Sequence, residues 1–444
     1  MSRSNRKRPE RTPLRVTVEK LAHDGRGVAR VENKTVFIDG ALPGEEVTFS
    51  YVAKHRNYDE GEVVEVLVAS PDRVAPRCSH FRLCGGCSMQ HLDSERQIAA
   101  KQQVLLDDLK HIGKVEPKEV LPPLRGPHWG YRRKARLGVR YVIKKEKLLV
   151  GFREKHTNFL ADLSRCETLH PSVGERLQEL AVLVRELECF DQIPQIEVAV
   201  DDTQTALVFR VFVAPGEGDR AKLRAFAQAH DLCIFLQPGG NDTIAPLWPE
   251  QVALSYALPE FNVNFRFGPS DFTQVNTDIN RDMVSRAVRM LDVQPEDRVL
   301  DLFCGLGNFT LPIARVARAV VGVEGSSELV RRARENAERN GLTNVTFHAA
   351  DLAADLSQAP WWQGGFDKVL LDPPRSGAQE TLSHLARLKI ARIVYVSCNP
   401  STLARDAGIL VNEFGYKLEQ AGVMDMFPHT AHVESIALFT RGKK

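Results

Sequence analysis

Apolar and polar positions follow two different rhythms along this chain. From Leu14 to Ala69 the apolar residues come in short runs: Arg15-Val16-Thr17-Val18-Glu19, then 35–38, 46–52 and 61–68. Asp24-Gly25, Asp39-Gly40 and Pro43-Gly44 supply turns between them. Several short strands with regular turns predict a small β-barrel of the OB type. Between 70 and about 265, strand and helix signals alternate without a repeat: helices over 94–112 and 177–187, strands over 196–200 and 207–213. From 266 onward the rhythm is regular, with strands predicted at 298–303, 319–323, 345–347, 367–371, 392–397 and 434–440 and helical patterns between them. That alternation predicts a doubly wound parallel sheet. The predicted organisation is a basic tail over 1–13, an OB-like domain over 14–69, a central α+β domain over 70–265 and an α/β Rossmann-like domain over 266–444.

Two of the predicted sheet strands end in reactive groups. Ile393-Val394-Tyr395-Val396-Ser397 reads as a buried strand, stopped by Cys398-Asn399-Pro400; Val369-Leu370-Leu371 runs into Asp372-Pro373-Pro374-Arg375. Open α/β sheets keep their ligands at the carboxyl ends of strands. A thiol and a carboxylate there suggest covalent chemistry on a small ring. The run from Arg298 to Thr310 adds a strand, a Gly-rich turn (Cys304-Gly305-Leu306-Gly307) and a helix start. A dinucleotide fingerprint needs a third glycine where Thr310 stands, and Asp301 does not suit a pyrophosphate. The carboxylate suits S-adenosylmethionine, which carries a sulfonium and an ammonium and no phosphate. Glu324 ends the next strand, where an acid can bind both ribose hydroxyls, and Asp351 follows the third, in position to meet the adenine.

The chain has eight cysteines and no run of eighteen apolar residues, and its first residues lack the apolar core of a signal peptide. The expected location is the cytoplasm, with no membrane partner, and there cysteines bind metals or do chemistry more often than they form disulfides. Cys78, Cys84 and Cys87 gather in one loop, with Cys166 the best candidate for a fourth ligand. The spacing is one residue from a plant-type iron–sulfur pattern, and four thiolates also make a zinc site, so both metals stay open with iron–sulfur ahead. Cys189 and Cys233 read as small core residues, and Cys304 as a small residue in the cofactor turn. His429 and His432 read as solvated loop histidines rather than a metal pair.

Net charge is only +2, but residues 125–155 hold eleven Lys and Arg against two Glu, with Trp129, Tyr131, Tyr141 and Phe152 among them, and the first fifteen residues add six cations. Phosphate attraction and base stacking need such a mixture, so RNA or DNA is the expected partner.

Taken together these residues resemble the RNA uracil-C5 methyltransferases, in the branch that carries an iron–sulfur cluster and acts on 23S ribosomal RNA. The resemblance covers nearly the whole chain. Leu21-Ala22-His23-Asp24-Gly25-Arg26-Gly27-Val28-Ala29 looks like the opening of a TRAM domain, an RNA-binding OB-type barrel. The resemblance implies a [4Fe-4S] cluster on Cys78, Cys84, Cys87 and Cys166. It implies cofactor contacts from Gln274, in Ser270-Asp271-Phe272-Thr273-Gln274-Val275-Asn276, and from Phe303, Asn308, Glu324, Asp351 and Asp372. Cys398 matches the family's nucleophile and Glu434 its carboxylate base. The implied reaction forms 5-methyluridine, at uracil 1939 or another site, through a covalent adduct between the thiol and C6. The nucleophile should then have a lowered pKa or a nearby base. A monomer with no obligate protein partner is expected. A non-catalytic iron–sulfur RNA-binding protein is the competing reading, and transfer RNA the competing substrate.

Overall fold

A computed structural model describes residues 12–442 except 355, 357, 358, 360, 363 and 364. Most of the basic tail therefore lies outside the described residues. The chain divides into two compact units: Met1–Lys101 with Glu154–Thr157 and Pro428–His432, and Gln102–Arg153 with Asn158–Phe427 and Val433–Lys444.

The first unit is built on β1 (Leu14–Thr17), β2 (Lys20–Leu21), β3 (Gly27–Val31), β4 (Lys34–Asp39), β5 (Glu46–Lys54) and β6 (Tyr58–Val68), in the order β1-β5-β6-β4-β3-β2. All pairs are antiparallel except β4 with β6. Strand β3 begins inside the stretch Leu21–Ala29 and starts on Gly27, with Arg30 breaking its short apolar run. Irregularities at three points of the β5–β6 ladder bend these long strands, as bulges do. Val18, Ala29, Val36, Ile38, Val47 and Phe49 turn inward from four segments and form a core of their own. Each Val, Ile or Phe among them contributes about 1.5–3 kcal/mol when fully buried.

The second unit holds two large sheets. Strands β8 (Lys134–Val142), β9 (Lys147–Gly151), β10 (Gln195–Val200), β11 (Thr205–Arg210), β12 (Leu232–Gln237) and β13 (Ala245–Trp248) run in the order β13-β12-β11-β10-β8-β9. The hairpin β14 (Leu254–Leu258) and β15 (Val263–Phe267) follows. The other sheet collects β7 (Glu119–Val120), β16 (Arg298–Leu302), β17 (Ala319–Glu324), β18 (Val345–Ala349), β19 (Lys368–Leu371), β20 (Arg392–Ser397), β21 (Lys417–Met424) and β22 (Glu434–Thr440). Its order is β18-β17-β16-β19-β20-β22-β21-β7.

Strands β16 to β20 are parallel; β16, β17, β19 and β20 are largely buried, which is why they read as mostly apolar runs, whereas the edge strand β18 buries only Phe347. The chain leaves β16 toward β17 on one side and later returns to β19 on the other, so the order reverses beside β16. Ligand crevices open at such switch points. The expectation of a wholly parallel sheet needs correction. The loop after β21 brings the chain back as β22, antiparallel to both β20 and β21. The first residue of β22 therefore lies at the same rim as the last residue of β20. Strand β21 was missed because Glu419 and Gln420 break its apolar run.

The helix Thr277–Leu291 packs Ile279, Met283, Val284, Ala287, Val288 and Leu291 into the core. This is the spacing of one helical face. Asn276 caps it through Ile279 N–H, and Asp292 ends it in the left-handed region at φ 53°. No helix among the described residues is long and apolar enough to cross a membrane.

Candidate active site

At the carboxyl rim of the catalytic sheet a cavity of about 870 Å³ opens. Gln274, Phe303, Asn308, Glu324, Asp351, Asp372, Cys398 and Glu434 all line it. Each arrives on a strand end or the turn after it, apart from Gln274 and Asn308. The lining acids are Glu324, Asp351, Asp372, Glu380 and Glu434, against one lining cation, Arg375. Such a cavity attracts cations and repels phosphate.

The turn after β16 is shaped by backbone demands. Phe303 adopts φ 65°, uncommon outside glycine, and Gly307 adopts φ 89°. Glu324 accepts Gly305 N–H at 3.1 Å on one oxygen and Ser326 N–H at 3.0 Å on the other, so its carboxylate is fixed toward the turn. Thr310, where a dinucleotide motif would have glycine, donates its hydroxyl to Asp301. The second oxygen of Asp301 is buried with no hydrogen-bond partner. Burial, with Asp372 nearby, pushes the Asp301 carboxyl up to about 7 although the Thr310 bond opposes it. Asp351 is exposed and accepts Ala353 N–H at 2.9 Å.

Asn308 is held by partners that no local pattern announces. Its Oδ1 accepts from the Tyr256 hydroxyl at 3.0 Å and Asn280 Nδ2 at 3.1 Å, and its Nδ2 donates to Asn280 Oδ1 at 2.9 Å. Tyr256 and Asn280 were absent from the sequence reading because they lie 52 and 28 residues away in the chain. The loop carrying Phe272 and Gln274 is fixed from behind. Buried Asp271 accepts Gly268 N–H at 2.6 Å and pairs with Arg332 at 2.8 Å, and Lys134 donates to the Pro269 carbonyl at 2.7 Å. Phe272 itself lines the cavity and is 70% exposed.

Cys398 and Glu434 meet through strand register. Ser397 of β20 opposes Ser435 of β22, the last pair of that ladder, and Cys398 and Glu434 are the next residues beyond it on the two chains, close enough for Glu434 to act on the thiol. Glu434 is 4% exposed, and burial, reinforced by Asp372, drives its pKa well above the usual carboxylate range against the pull of Arg375. Asp372 is pushed up to about 7 by desolvation. The Cys398 thiol is pushed up to about 11, first by burial and then by Glu434 and Asp372, with Arg375 opposing. The expectation of a lowered thiol pKa is therefore corrected for the site without a bound cation, since two acids face the sulfur. A nearby carboxylate, the other part of that expectation, is present.

The cysteines of the proposed cluster lie in different units, Cys78, Cys84 and Cys87 in the first and Cys166 in the second. All four are half-buried. Among the described residues, no group of three or more His, Cys, Asp or Glu side chains is gathered so as to hold a metal ion. Within the loop, Phe81 N–H bonds Cys78 O at 3.1 Å, Cys84 N–H bonds His80 O at 2.8 Å, and Gly86 N–H points at Cys84 Sγ at 3.4 Å.

Two other expectations change. His429 is buried rather than solvated: Gln97 donates toward its Nδ1 at 3.2 Å and accepts its N–H at 2.8 Å. Within the basic stretch, Lys147 pairs with Asp162, Arg136 with Glu197 and Lys155 with Asp39, while Lys134 and Tyr131 are largely buried. Part of this stretch serves the fold, and the hairpin tip at Ile143, Lys144 and Lys145 is the segment most open to solvent.

Comparison with known proteins now decides the family. The family model described as tRNA (Uracil-5-)-methyltransferase matches residues 247–442, and the TRAM domain model matches residues 7–64. The chain is 57% identical over 440 residues to the 23S rRNA (uracil(1939)-C(5))-methyltransferase RlmD of Methylococcus capsulatus, covering 99% of each chain. It is 56% identical over 444 residues to the protein of the same name from Xanthomonas campestris pv. campestris, covering 99% of this chain and all of that one. The chain belongs to the RNA uracil-C5 methyltransferase family. Among solved structures, the Pyrococcus abyssi tRNA (uracil-54, C5)-methyltransferase in complex with S-adenosyl-L-homocysteine is similar, with a TM-score of 0.73 and 24% identity, covering 96% of this chain and all of that one. That likeness shows the S-adenosylmethionine-dependent methyltransferase fold; members of the family with this fold transfer a methyl group to RNA uracil.

Proposed function

We propose that this member of the family forms 5-methyluridine in 23S ribosomal RNA in the cytoplasm, at the uracil its relatives' names give as 1939. The observation that carries the chemistry is the β20–β22 register, which ends with a thiol and a buried carboxylate as the next residues of the two strands, both lining one acid-rich cavity. The donor set fits S-adenosylmethionine: acids at three successive strand ends and no lysine among the lining residues. Glu324 would take the ribose hydroxyls, Asp351 the adenine, and Gln274, Phe303, Asn308 and Asp372 the remainder. Bound S-adenosylmethionine supplies a methyl group on a cationic sulfonium.

The residues of the chain do the rest. Cys398 Sγ, as thiolate, forms a bond to C6 of the uracil, and the C5–C6 π electrons move onto C5 and its carbonyl. That electron pair on C5 then forms the bond to the methyl group, and the pair of the broken S–CH3 bond stays on the donor sulfur, which leaves as a neutral thioether. Glu434 removes the C5 proton; that electron pair restores the C5–C6 double bond as the C6–S bond breaks, and the thiolate is released. A cation bound beside Asp372 favours the charged forms of both Cys398 and Glu434, whose pKa values are high without it. The target base has to be flipped or unpaired to present C6 and C5 at once. The TRAM domain, matched over residues 7–64, supports RNA binding.

Cys78, Cys84, Cys87 and Cys166 would hold a [4Fe-4S] cluster. The support is the donor chemistry: three thiols in one loop, with a backbone N–H directed at a sulfur, the kind of hydrogen bond that tunes such clusters. No step of the methyl transfer runs through it.

The deciding experiment incubates the protein, purified without oxygen, with labelled S-adenosylmethionine and unmodified 23S RNA, then maps the product by mass spectrometry. One C5-methylated uracil, absent with Cys398→Ala, is expected. Methylation of transfer RNA alone would overturn the target, and RNA binding without any transfer would favour the non-catalytic reading.

A further inference from the structure

The two loops that meet around the nucleophile are tied together by a buried acid that lines no part of the cavity. Asp406 lies in the helix Pro400–Gly408, which starts right after the Cys398 turn, and has no solvent exposure. Its Oδ2 accepts Ala378 N–H at 2.8 Å, from the loop after Asp372, and the Tyr395 hydroxyl at 2.7 Å, from β20. Its Oδ1 accepts Arg405 Nε at 2.8 Å, and the same guanidinium reaches the Ser376 carbonyl at 2.9 Å. One carboxylate thus gathers the nucleophile's strand, its helix and the 372–378 loop.

Two further observations come from the loop side. Gly377 turns at φ 82°, and a side chain there would meet Arg405 at 2.5 Å and Asp406 at 2.7 Å. The loop backbone is packed onto the acid and its arginine with no room for a methyl group. The Arg375 carbonyl is bound by Asn399 Nδ2 at 3.0 Å and Thr402 Oγ1 at 3.3 Å. The backbone of Arg375 is therefore held from the segment that directly follows Cys398.

We propose that Asp406 is a positioning residue that, with Arg405 and the tight turn at Gly377, holds the 375–378 loop against the Cys398 turn so that the Arg375 cation stands beside the nucleophile. The inference rests on the methyltransferase reading above. The charged groups facing Cys398 are Glu434, Asp372 and Arg375. Of these charged groups Arg375 is the one that favours the thiolate, so loosening its loop raises the pH at which the sulfur becomes reactive. The step affected is formation of the C6–S bond, where a displacement of about 1 Å costs roughly 100-fold in rate.

The test measures covalent trapping of the full-length protein on RNA carrying 5-fluorouridine at saturating S-adenosylmethionine; after methyl transfer C5 carries fluorine and no proton to lose, so the C6–S bond is not eliminated and the adduct holds. Asp406→Asn and Gly377→Ala are expected to slow adduct formation by roughly 10- to 100-fold and to move its pH profile to higher pH. S-adenosylmethionine affinity, read by calorimetry on the folded fraction, should change less than about threefold. Tyr395→Phe, which deletes one hydroxyl and keeps the ring, should give a weaker version of the same pattern. Leu223→Ala, a buried substitution on the helix Glu217–His230, serves as a control that lowers stability without touching this network. Wild-type adduct rate and pH profile in Asp406→Asn would overturn the inference, as would a parallel loss of cofactor affinity. Failure of the wild-type protein to form any adduct would instead sink the methyltransferase reading on which it rests.

Discussion

The rim of the catalytic sheet and the cysteine loop of the first unit both collect reactive side chains, but by opposite means. At the rim, Asp301, Glu324, Asp372, Cys398 and Glu434 sit at or beside the ends of five neighbouring strands, and hydrogen-bonded ladders fix their spacing. Their environment is dry enough to raise the pKa of Asp301, Asp372, Cys398 and Glu434. The loop places Cys78, Cys84 and Cys87 on successive turns with an isolated bridge, Cys84 to Glu154, in place of a ladder, and their geometry depends on short backbone bonds. Rigid elements preorganise groups that must act on a substrate. A loop suits groups whose arrangement a bound cluster can itself impose, because metal binding and local ordering are coupled.

The sharpest way to break this comparison is at Glu434. If the rim is preorganised for proton removal, Glu434→Gln should keep cofactor and RNA binding yet lose roughly 100-fold or more in turnover, the usual range for a positioned base. The RNA should accumulate as a covalent adduct with Cys398, visible as a slowly migrating band that disappears in the double variant with Cys398→Ala. Loss of turnover without any adduct would mean that Glu434 acts before the C6–S bond forms.

The loop makes the complementary prediction. Cys87→Ser should lower bound iron, read from absorbance and elemental analysis, and weaken RNA affinity by roughly 10-fold if the cluster orders an RNA-binding surface. Methylation per bound RNA should stay near wild type, because the proposed chemistry moves no electrons. Intact RNA affinity with abolished turnover would assign the loop to catalysis instead.

Much of the rim was legible because buried parallel strands write themselves as apolar runs, and the residue that ends each run faces the crevice. Cys398, Asp372 and Glu324 follow from that rule alone. Glu434 does not, since it begins a strand whose direction depends on the missed β21, and only the family resemblance singled it out. Tyr256, Asn280 and Asp406 were invisible for a related reason: each acts through a side-chain contact across chain distance, and nothing in its neighbours marks the partner. The basic stretch misled in part. A Lys in sequence carries no sign of whether it meets a phosphate or, like Lys134, a carbonyl of its own fold.

The smallest effect is also the cleanest measure of how dry the rim is. The folded protein holds the Asp301 carboxyl at about 7, whereas an unfolded aspartate titrates near about 3.9. A raised pKa in the folded state means that the fold binds this proton more tightly than the unfolded chain does. Its contribution to stability is complete below about pH 4 and is lost as the pH rises toward 7, by at most about 1.4 kcal/mol per pH unit. Asp301→Asn keeps an acceptor for the Thr310 hydroxyl and removes the titration. In the absence of cofactor, its melting temperature should match wild type near pH 4 and exceed it by a few degrees at pH 8. The same variant should bind S-adenosylmethionine more weakly, because it removes a negative charge from a site that attracts a cation. A variant more stable at high pH and poorer in cofactor binding would show that the rim spends stability on charge. Parallel melting curves at all pH values would mean that Asp301 stays solvated, and that the contrast between dry rim and loop is overstated.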